Sequence, residues 1–173
     1  LKMGADYSVY SATKYLSGHS DIIGGAVMAS KENIQHLHRF LNLYGAIMSP
    51  FDAWILARSM RTMELRVKQH CANALKVAQY FESHPKIERV FYPGLDSSPS
   101  KKRADQLFVE GRYGGMLSAD LVGGEKAACA FIKECETVKF VPSLAGVTTS
   151  ISYAARTSHR AYAPEDMKRL GIS

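Results

Sequence analysis

The feature that most limits what this chain can fold into is a long stretch without a helix breaker. Ser49-Pro50-Phe51-Asp52 opens it: Ser49 can cap, Pro50 fits a first helical turn, and Asp52 stands where a capping-box acid belongs. The next breaker is Ser83-His84-Pro85. The spacing predicts one helix, or two end to end, over about 34 residues. That is longer than a small domain needs, and it predicts a helix that bridges two domains. Trp54, Ile55 and Met63 are expected as its packing stripe. A length of 173 residues leaves room for one ordinary domain or two small ones.

The flanks alternate in period. Residues 5–12 favour a strand through Val9 and Tyr10, and the compact apolar run over 22–29 predicts a buried strand. Ile34, Leu37, His38, Leu41 and Tyr44 fall at helical spacing and predict an amphipathic helix over 31–44. Residues 87–92 end at Pro93-Gly94, a strand followed by a turn. Residues 95–112 are polar and loop-like, with room for a short helix. A half-buried strand is expected over 115–121, a helix over 125–135, and strands at 138–141 and 150–153. Strand, helix, strand, strand predicts a small α+β unit with one helix-covered sheet.

Composition sets the class. Apolar residues make up 46% and charged residues 22%, a globular balance. No apolar run approaches the roughly 18 residues of a membrane span. The start, Leu1-Lys2-Met3-Gly4, carries neither a signal-peptide core nor an initiator Met, so the chain is expected to begin inside a longer protein. Cys71, Cys129 and Cys135 form no Cys-x-x-Cys pair, which disfavours a disulfide framework or a zinc site. They are expected as small buried or half-buried hydrophobes in a reduced, cytoplasmic setting. The net charge of +6 admits a basic nucleic-acid-binding module. The one dense basic run, Lys101-Lys102-Arg103, lacks interleaved aromatics and reads as a solvated face. Anionic small molecules are the other natural partners of such a chain.

The chemistry concentrates in Ser11-Ala12-Thr13-Lys14-Tyr15-Leu16-Ser17-Gly18-His19-Ser20-Asp21. A lysine whose amine can shed its proton condenses with an aldehyde, and hydroxyls close by can donate to a phosphate. Ser-x-Thr-Lys alone is a weak signal. The whole string, with Asp6 upstream, resembles the lysine signature of the Cys/Met-metabolism (trans-sulfuration) family of pyridoxal 5′-phosphate (PLP) enzymes, of the cystathionine γ-lyase and methionine γ-lyase kind. Tyr7 departs from it, since an aliphatic residue is usual there. The resemblance continues through Gly45-Ala46-Ile47-Met48-Ser49-Pro50, Arg58-Ser59-Met60-Arg61-Thr62-Met63, Val90-Phe91-Tyr92-Pro93-Gly94 and Tyr113-Gly114-Gly115-Met116. It ends in Ser143-Leu144-Ala145-Gly146 and Thr157-Ser158-His159.

The resemblance implies an α/β chain, the last part of a PLP-dependent transferase fold of type I (aspartate-aminotransferase-like), with a long bridging helix and a C-terminal α+β domain. Residues 1–60 would then be the C-terminal portion of the PLP-binding large domain, and 61–173 the long helix with an incomplete small domain. Lys14 is implied as the catalytic, Schiff-base lysine, Ser11 and Thr13 as phosphate ligands, and Ser143 as a substrate-carboxylate contact. No metal is expected. The implied activity is carbon–sulfur bond cleavage by γ- or β-elimination on a small sulfur-containing amino acid. The alternative is γ-replacement on an O-acylhomoserine by a synthase or sulfhydrylase. The implied assembly is a homo-oligomer, dimer or tetramer. Pro142 stands where cystathionine-type members commonly carry Glu, which leaves methionine, homocysteine or an O-acylhomoserine open. The ring-stacking Tyr, the pyridine-pairing Asp and the carboxylate-gripping Arg of the family lie outside these 173 residues. The chain is therefore expected to be a C-terminal-half fragment that binds PLP poorly and turns over negligibly by itself.

Overall fold

The computed structural model describes residues 1–172. They form two compact units. The first is Leu1–Glu64 together with Ala145–Val147; the second is Leu65–Leu144 together with the chain from Thr148 onward.

In the first unit, β1 (Tyr7–Ser11) pairs antiparallel with β2 (Gly25–Ala29), from Tyr7 opposite Ala29 to Ser11 opposite Gly25. Helix α1 (Lys31–Tyr44) covers the predicted span. The Ser30 hydroxyl accepts from the Asn33 N–H at 3.2 Å and starts it; Gly45, at φ 67, ends it in the left-handed conformation that costs glycine nothing. Helix α2 (Pro50–Met60) begins as expected, with the Ser49 hydroxyl accepting from the Asp52 N–H at 3.1 Å. The long helical stretch is two helices end to end. At the junction, the Arg61 and Thr62 N–H groups bond three residues back, and the Thr62 hydroxyl donates to the Ser59 carbonyl at 3.1 Å. This tightened turn leads into α3 (Met63–Glu82).

Two burial expectations change here. The strand predicted as buried is largely exposed: Val27 is 42% and Met28 48% accessible. Apolar content marks a strand but does not supply the layer that covers it, and a two-stranded ladder has two faces to cover. Trp54 is 61% accessible and stacks on Phe51, with ring centroids 6.1 Å apart, while Ile55 and Met63 are half-buried. The well-buried residues of this unit, Ala12, Leu16, Ser17 and Ile22, surround the connection between β1 and β2; Ser59 joins them from α2.

The second unit has a side-chain core. Ala74 and Ala78, one turn apart on α3, let Tyr92 and Leu95 approach closely, and Leu75, Val90, Tyr113 and Leu117 pack around them. The Tyr92 hydroxyl donates to the Gly114 carbonyl at 2.9 Å. β3 (Ile87–Phe91) pairs antiparallel with β4 (Ser118–Leu121), with an irregular register between Ile87 and Arg89. The polar stretch 95–112 does hold a short helix, α4 (Lys101–Leu107), and α5 spans Gly124–Glu134. β5 (Lys139–Phe140) and β6 (Ser150–Ile151) form a separate parallel pair, and α6 is Pro164–Arg169. The single sheet expected here is therefore two ladders. The strand signal at 138–141 stops against Pro142. Tyr153 gives way to a tight turn at Ala154–Arg156, where the Thr157 hydroxyl donates to the Tyr153 carbonyl at 2.8 Å. Cys71 is buried and Cys129 and Cys135 half-buried, all as free thiols.

The chain exposes 13020 Å². A self-contained monomer of 19.1 kDa exposes about 8,400 Å². The surplus includes large apolar side chains of the first unit, among them Phe40, Leu43, Tyr44, Ile47 and Phe51.

Candidate functional site

Lys14 follows β1 by three residues, and the pairing of β1 with β2 fixes where that segment leaves the ladder. The Ala12 N–H donates to the Gly24 carbonyl at 2.8 Å, and the Thr13 N–H to the same oxygen at 3.3 Å. The chain then coils through Ala12–Leu16 in a widened turn, with the Ser17 N–H reaching back five residues to the Ala12 carbonyl at 2.9 Å. The Gly18 N–H closes the turn on the Lys14 carbonyl at 2.7 Å. Inside it, Lys14 sits at φ −92, ψ −122, well away from helical geometry. Widened turns of this kind concentrate at functional sites. Lys14 is half-buried.

Ser11, Thr13 and Lys14 thus share one short piece of chain. Ser11 is exposed at the end of β1. The Thr13 hydroxyl accepts from the Gly24 N–H at 3.0 Å and donates to the Gly24 carbonyl at 3.4 Å. The donated bond is long, so redirecting that proton to an anion gives up little. Gly24 anchors residues 12 and 13, and a Cβ built on it would lie 2.3 Å from the Met48 Cε.

The continuation of the turn is also fixed. The Ser17 side chain is fully buried and donates to the Asp21 carboxylate at 2.7 Å. His19 Nδ1 lies 2.6 Å from the Ser17 carbonyl. A carbonyl only accepts, so that nitrogen carries the proton. Gly18 and Ser20 take positive φ, 71 and 58, and the Val147 N–H donates to the Gly18 carbonyl at 3.1 Å. Sequence reasoning passed over Gly24, Ser17 and Asp21. The Ser17–Asp21 pair lies in a loop with no period to reveal it, and its one available signal was its place inside the signature string.

Ser143 belongs to the second unit, on the loop between β5 and β6. It is half-buried, and its carbonyl accepts from the Ser150 hydroxyl at 3.0 Å. A carboxylate needs donors, so its N–H and hydroxyl are the groups suited to that role. Pro142 beside it is exposed. The second unit also holds a cleft of about 250 Å³ lined by Cys129, Ile132, Lys133, Phe140, Tyr153 and Arg156. None of the site residues predicted from the sequence, Ser11, Thr13, Lys14 and Ser143, lines it. Arg156 there binds one Glu125 oxygen through Nε at 3.0 Å and a terminal nitrogen at 2.7 Å. Burial first, then the Glu125 carboxylate, raises the Tyr153 phenol above its ordinary pKa. Among the described residues, no group of three His, Cys, Asp or Glu side chains is placed to hold a metal, and no helix is long and apolar enough to cross a membrane.

The donor set at the turn fits PLP. It offers an amine suited to the aldehyde and two hydroxyls suited to the phosphate, all on one short piece of chain.

Comparison with known proteins identifies the family. The sequence profile of the family described as "Cys/Met metabolism PLP-dependent enzyme" matches residues 1–173. An L-methionine gamma-lyase of Fusobacterium nucleatum subsp. polymorphum is 38% identical over 176 residues, covering all of this chain and 44% of that protein. An O-succinylhomoserine sulfhydrylase of Pseudomonas aeruginosa is also 38% identical, over 99% of this chain and 42% of its own length. The crystal structure of cystathionine gamma-lyase from yeast superposes with a TM-score of 0.95 at 33% identity, covering 99% of this chain and 44% of that one. This chain spans less than half the length of these relatives. Its fold is part of the type I PLP-dependent transferase fold, and the cofactor of its family is PLP. With its full length matched, the chain belongs to the Cys/Met metabolism PLP-dependent enzymes.

Proposed function

We propose that this chain supplies the cofactor lysine, part of the phosphate site and part of the substrate site of a PLP-dependent carbon–sulfur lyase acting on a small sulfur-containing amino acid. The observation that carries the reading is Lys14 in a non-helical backbone position inside a closed, hydrogen-bonded turn, with Ser11 and Thr13 beside it. PLP, when bound, supplies an electron sink for charge developing on the substrate. The Lys14 amine would hold it, and would be placed to take and return protons as a general base. The Ser11 and Thr13 hydroxyls donate to the phosphate, and Ser143 donates to the substrate carboxylate.

In this reading, residues 1–60 complete a PLP-binding large domain, and 61–173 make the long helical connection and part of a small domain. The partner surface is a second copy: the exposed apolar residues of α1 and α2 support a homo-oligomer, with a homotetramer as the favoured state. The favoured location is the cytoplasm. Synthesis by γ-replacement on an O-acylhomoserine is the second reading. Pro142, together with the sulfhydrylase relative, favours it.

Borohydride reduction of the complete protein with PLP tests the assignment. A phosphopyridoxyl mass tag on Lys14 is the expected result, and a tag on any other lysine overturns it. Lys14→Ala should lose the tag and lower kcat by about 10²- to 10⁴-fold. Release of ammonia and a 2-oxo acid from methionine, homocysteine or cystathionine marks the lyase. Product formation that requires both an O-acylhomoserine and a thiol marks the replacement enzyme.

A further inference from the structure

The geometry points to Asp21 as a positioning residue for Lys14, acting through the buried hydroxyl of Ser17. The proposal rests on the reading of Lys14 as the cofactor lysine. Ser17 does two jobs at once. Its N–H closes the widened turn on Ala12, and its hydroxyl is 0% accessible and donates to Asp21 at 2.7 Å. A hydroxyl buried this completely is costly to leave without a partner. Asp21 therefore decides whether Ser17 can stay where the turn needs it. Ser17 also receives the His19 ring N–H at its carbonyl, and the next residue, Gly18, bonds the Lys14 carbonyl. Each of these bonds fixes the exit of the turn, and together with Gly24 at the entrance they hold Lys14 at ψ −122.

Asp21 itself is exposed, and it accepts from Ser17 four residues before it. Its effect on Lys14 is indirect: it keeps Ser17 oriented, Ser17 keeps the turn wide, and the wide turn aims the lysine. Loss of the lock lets the turn relax toward ordinary helical geometry and swings the Lys14 Cα–Cβ direction away from its set position.

The test compares Asp21→Ala, Asp21→Asn, Ser17→Ala and the Ser17→Ala/Asp21→Ala pair in the complete PLP-loaded protein. Asn keeps an oxygen that accepts from Ser17, so Asp21→Asn should recover most of what Asp21→Ala loses. Asp21→Ala should lower kcat about tenfold with KM within twofold, and slow PLP trapping at Lys14. It should also speed exchange of the Gly18 amide about tenfold. The double variant should be no worse than the worse single one, because both changes break one bond. Unchanged Gly18 exchange in Asp21→Ala overturns the proposal, as does additivity in the double variant or equal losses in the Asn and Ala variants. Failure of the underlying reading looks different. The unmutated protein would then carry no tag on Lys14, while amide exchange would still decide whether Asp21 holds the turn.

Discussion

Tyr92, 2% accessible, packs against Ala74, Ala78 and Leu95, and its hydroxyl is tied to Gly114; the second unit thus has a core made of side chains. In the first unit the buried positions Ala12, Leu16, Ser17 and Ile22 ring one turn, and the bonds that organise them run mostly through backbone groups and hydroxyls. The ladder and helices around that turn leave Val9, Val27, Phe40 and Leu43 to solvent. A packed core gives tolerance to small shifts and little control of one atom. A hydrogen-bonded turn gives directional control at one residue and little bulk stability. That division suits the proposed role of Lys14, which asks for an aimed side chain in the first unit and a held shape in the second.

The largest expected effect breaks the core. Tyr92→Ala removes a buried ring, an edge contact to Tyr113 and a hydrogen bond, and should destabilise the second unit by about 3–5 kcal/mol. Ile22→Ala, at 4% accessibility, should lose about 2–5 kcal/mol, felt mainly as faster amide exchange around Lys14. Thermal melts with residue-resolved exchange separate the two. If Ile22→Ala protects the Lys14 turn as well as the unmutated chain does, the apolar ring around that turn is not what supports it.

A smaller effect comes from two glycines. A Cβ on Gly94 would lie 2.5 Å from the Tyr113 ring and 2.7 Å from the Tyr92 ring, both held by packing. Gly94→Ala should therefore destabilise by about 1–3 kcal/mol. A Cβ on Gly24 meets the far end of the flexible Met48 side chain, which can swing aside, so Gly24→Ala should cost less than about 1 kcal/mol. Denaturant midpoints for the pair give the ordering directly, and a reversed order would place the rigid packing in the first unit.

What could be read from the sequence follows the same division. Helix α1 was legible to its end residues because its apolar period, the Ser30 cap and the Gly45 stop are all local. Lys14, Ser11 and Thr13 stood out as candidates because a specific string carries them. Two helices end to end were among the expectations, but the position of the break at Arg61–Thr62 was not legible, since no Gly or Pro marks it and the Thr62 hydroxyl bonds back to the Ser59 carbonyl. The split of the expected sheet into β3–β4 and β5–β6 was also hidden, because strand pairing is decided by residues far apart in sequence. Asp21 escaped for a related reason: its importance lies in Ser17 being buried, which no local pattern shows.

The smallest effect concerns acid, and it bears on the packed unit. Burial, and then the neighbouring Arg66 guanidinium, lower the pKa of the half-buried His70 on α3 below the ordinary histidine value. The folded chain therefore holds a proton on His70 less readily than the unfolded chain. Between the ordinary value, about 6.5, and the lower folded value, the unfolded state binds more protons, so stability falls as pH drops through that window. The loss is modest, because solvent still screens the ring. His70→Gln removes the titration and should flatten the decline of melting temperature between neutral and mildly acidic pH. In the unmutated chain, acid should loosen amides of α3 around His70 before that of Gly18. The same acid slope in both proteins, or earlier exchange at Gly18, would move the acid-sensitive point out of the packed core and into the Lys14 turn.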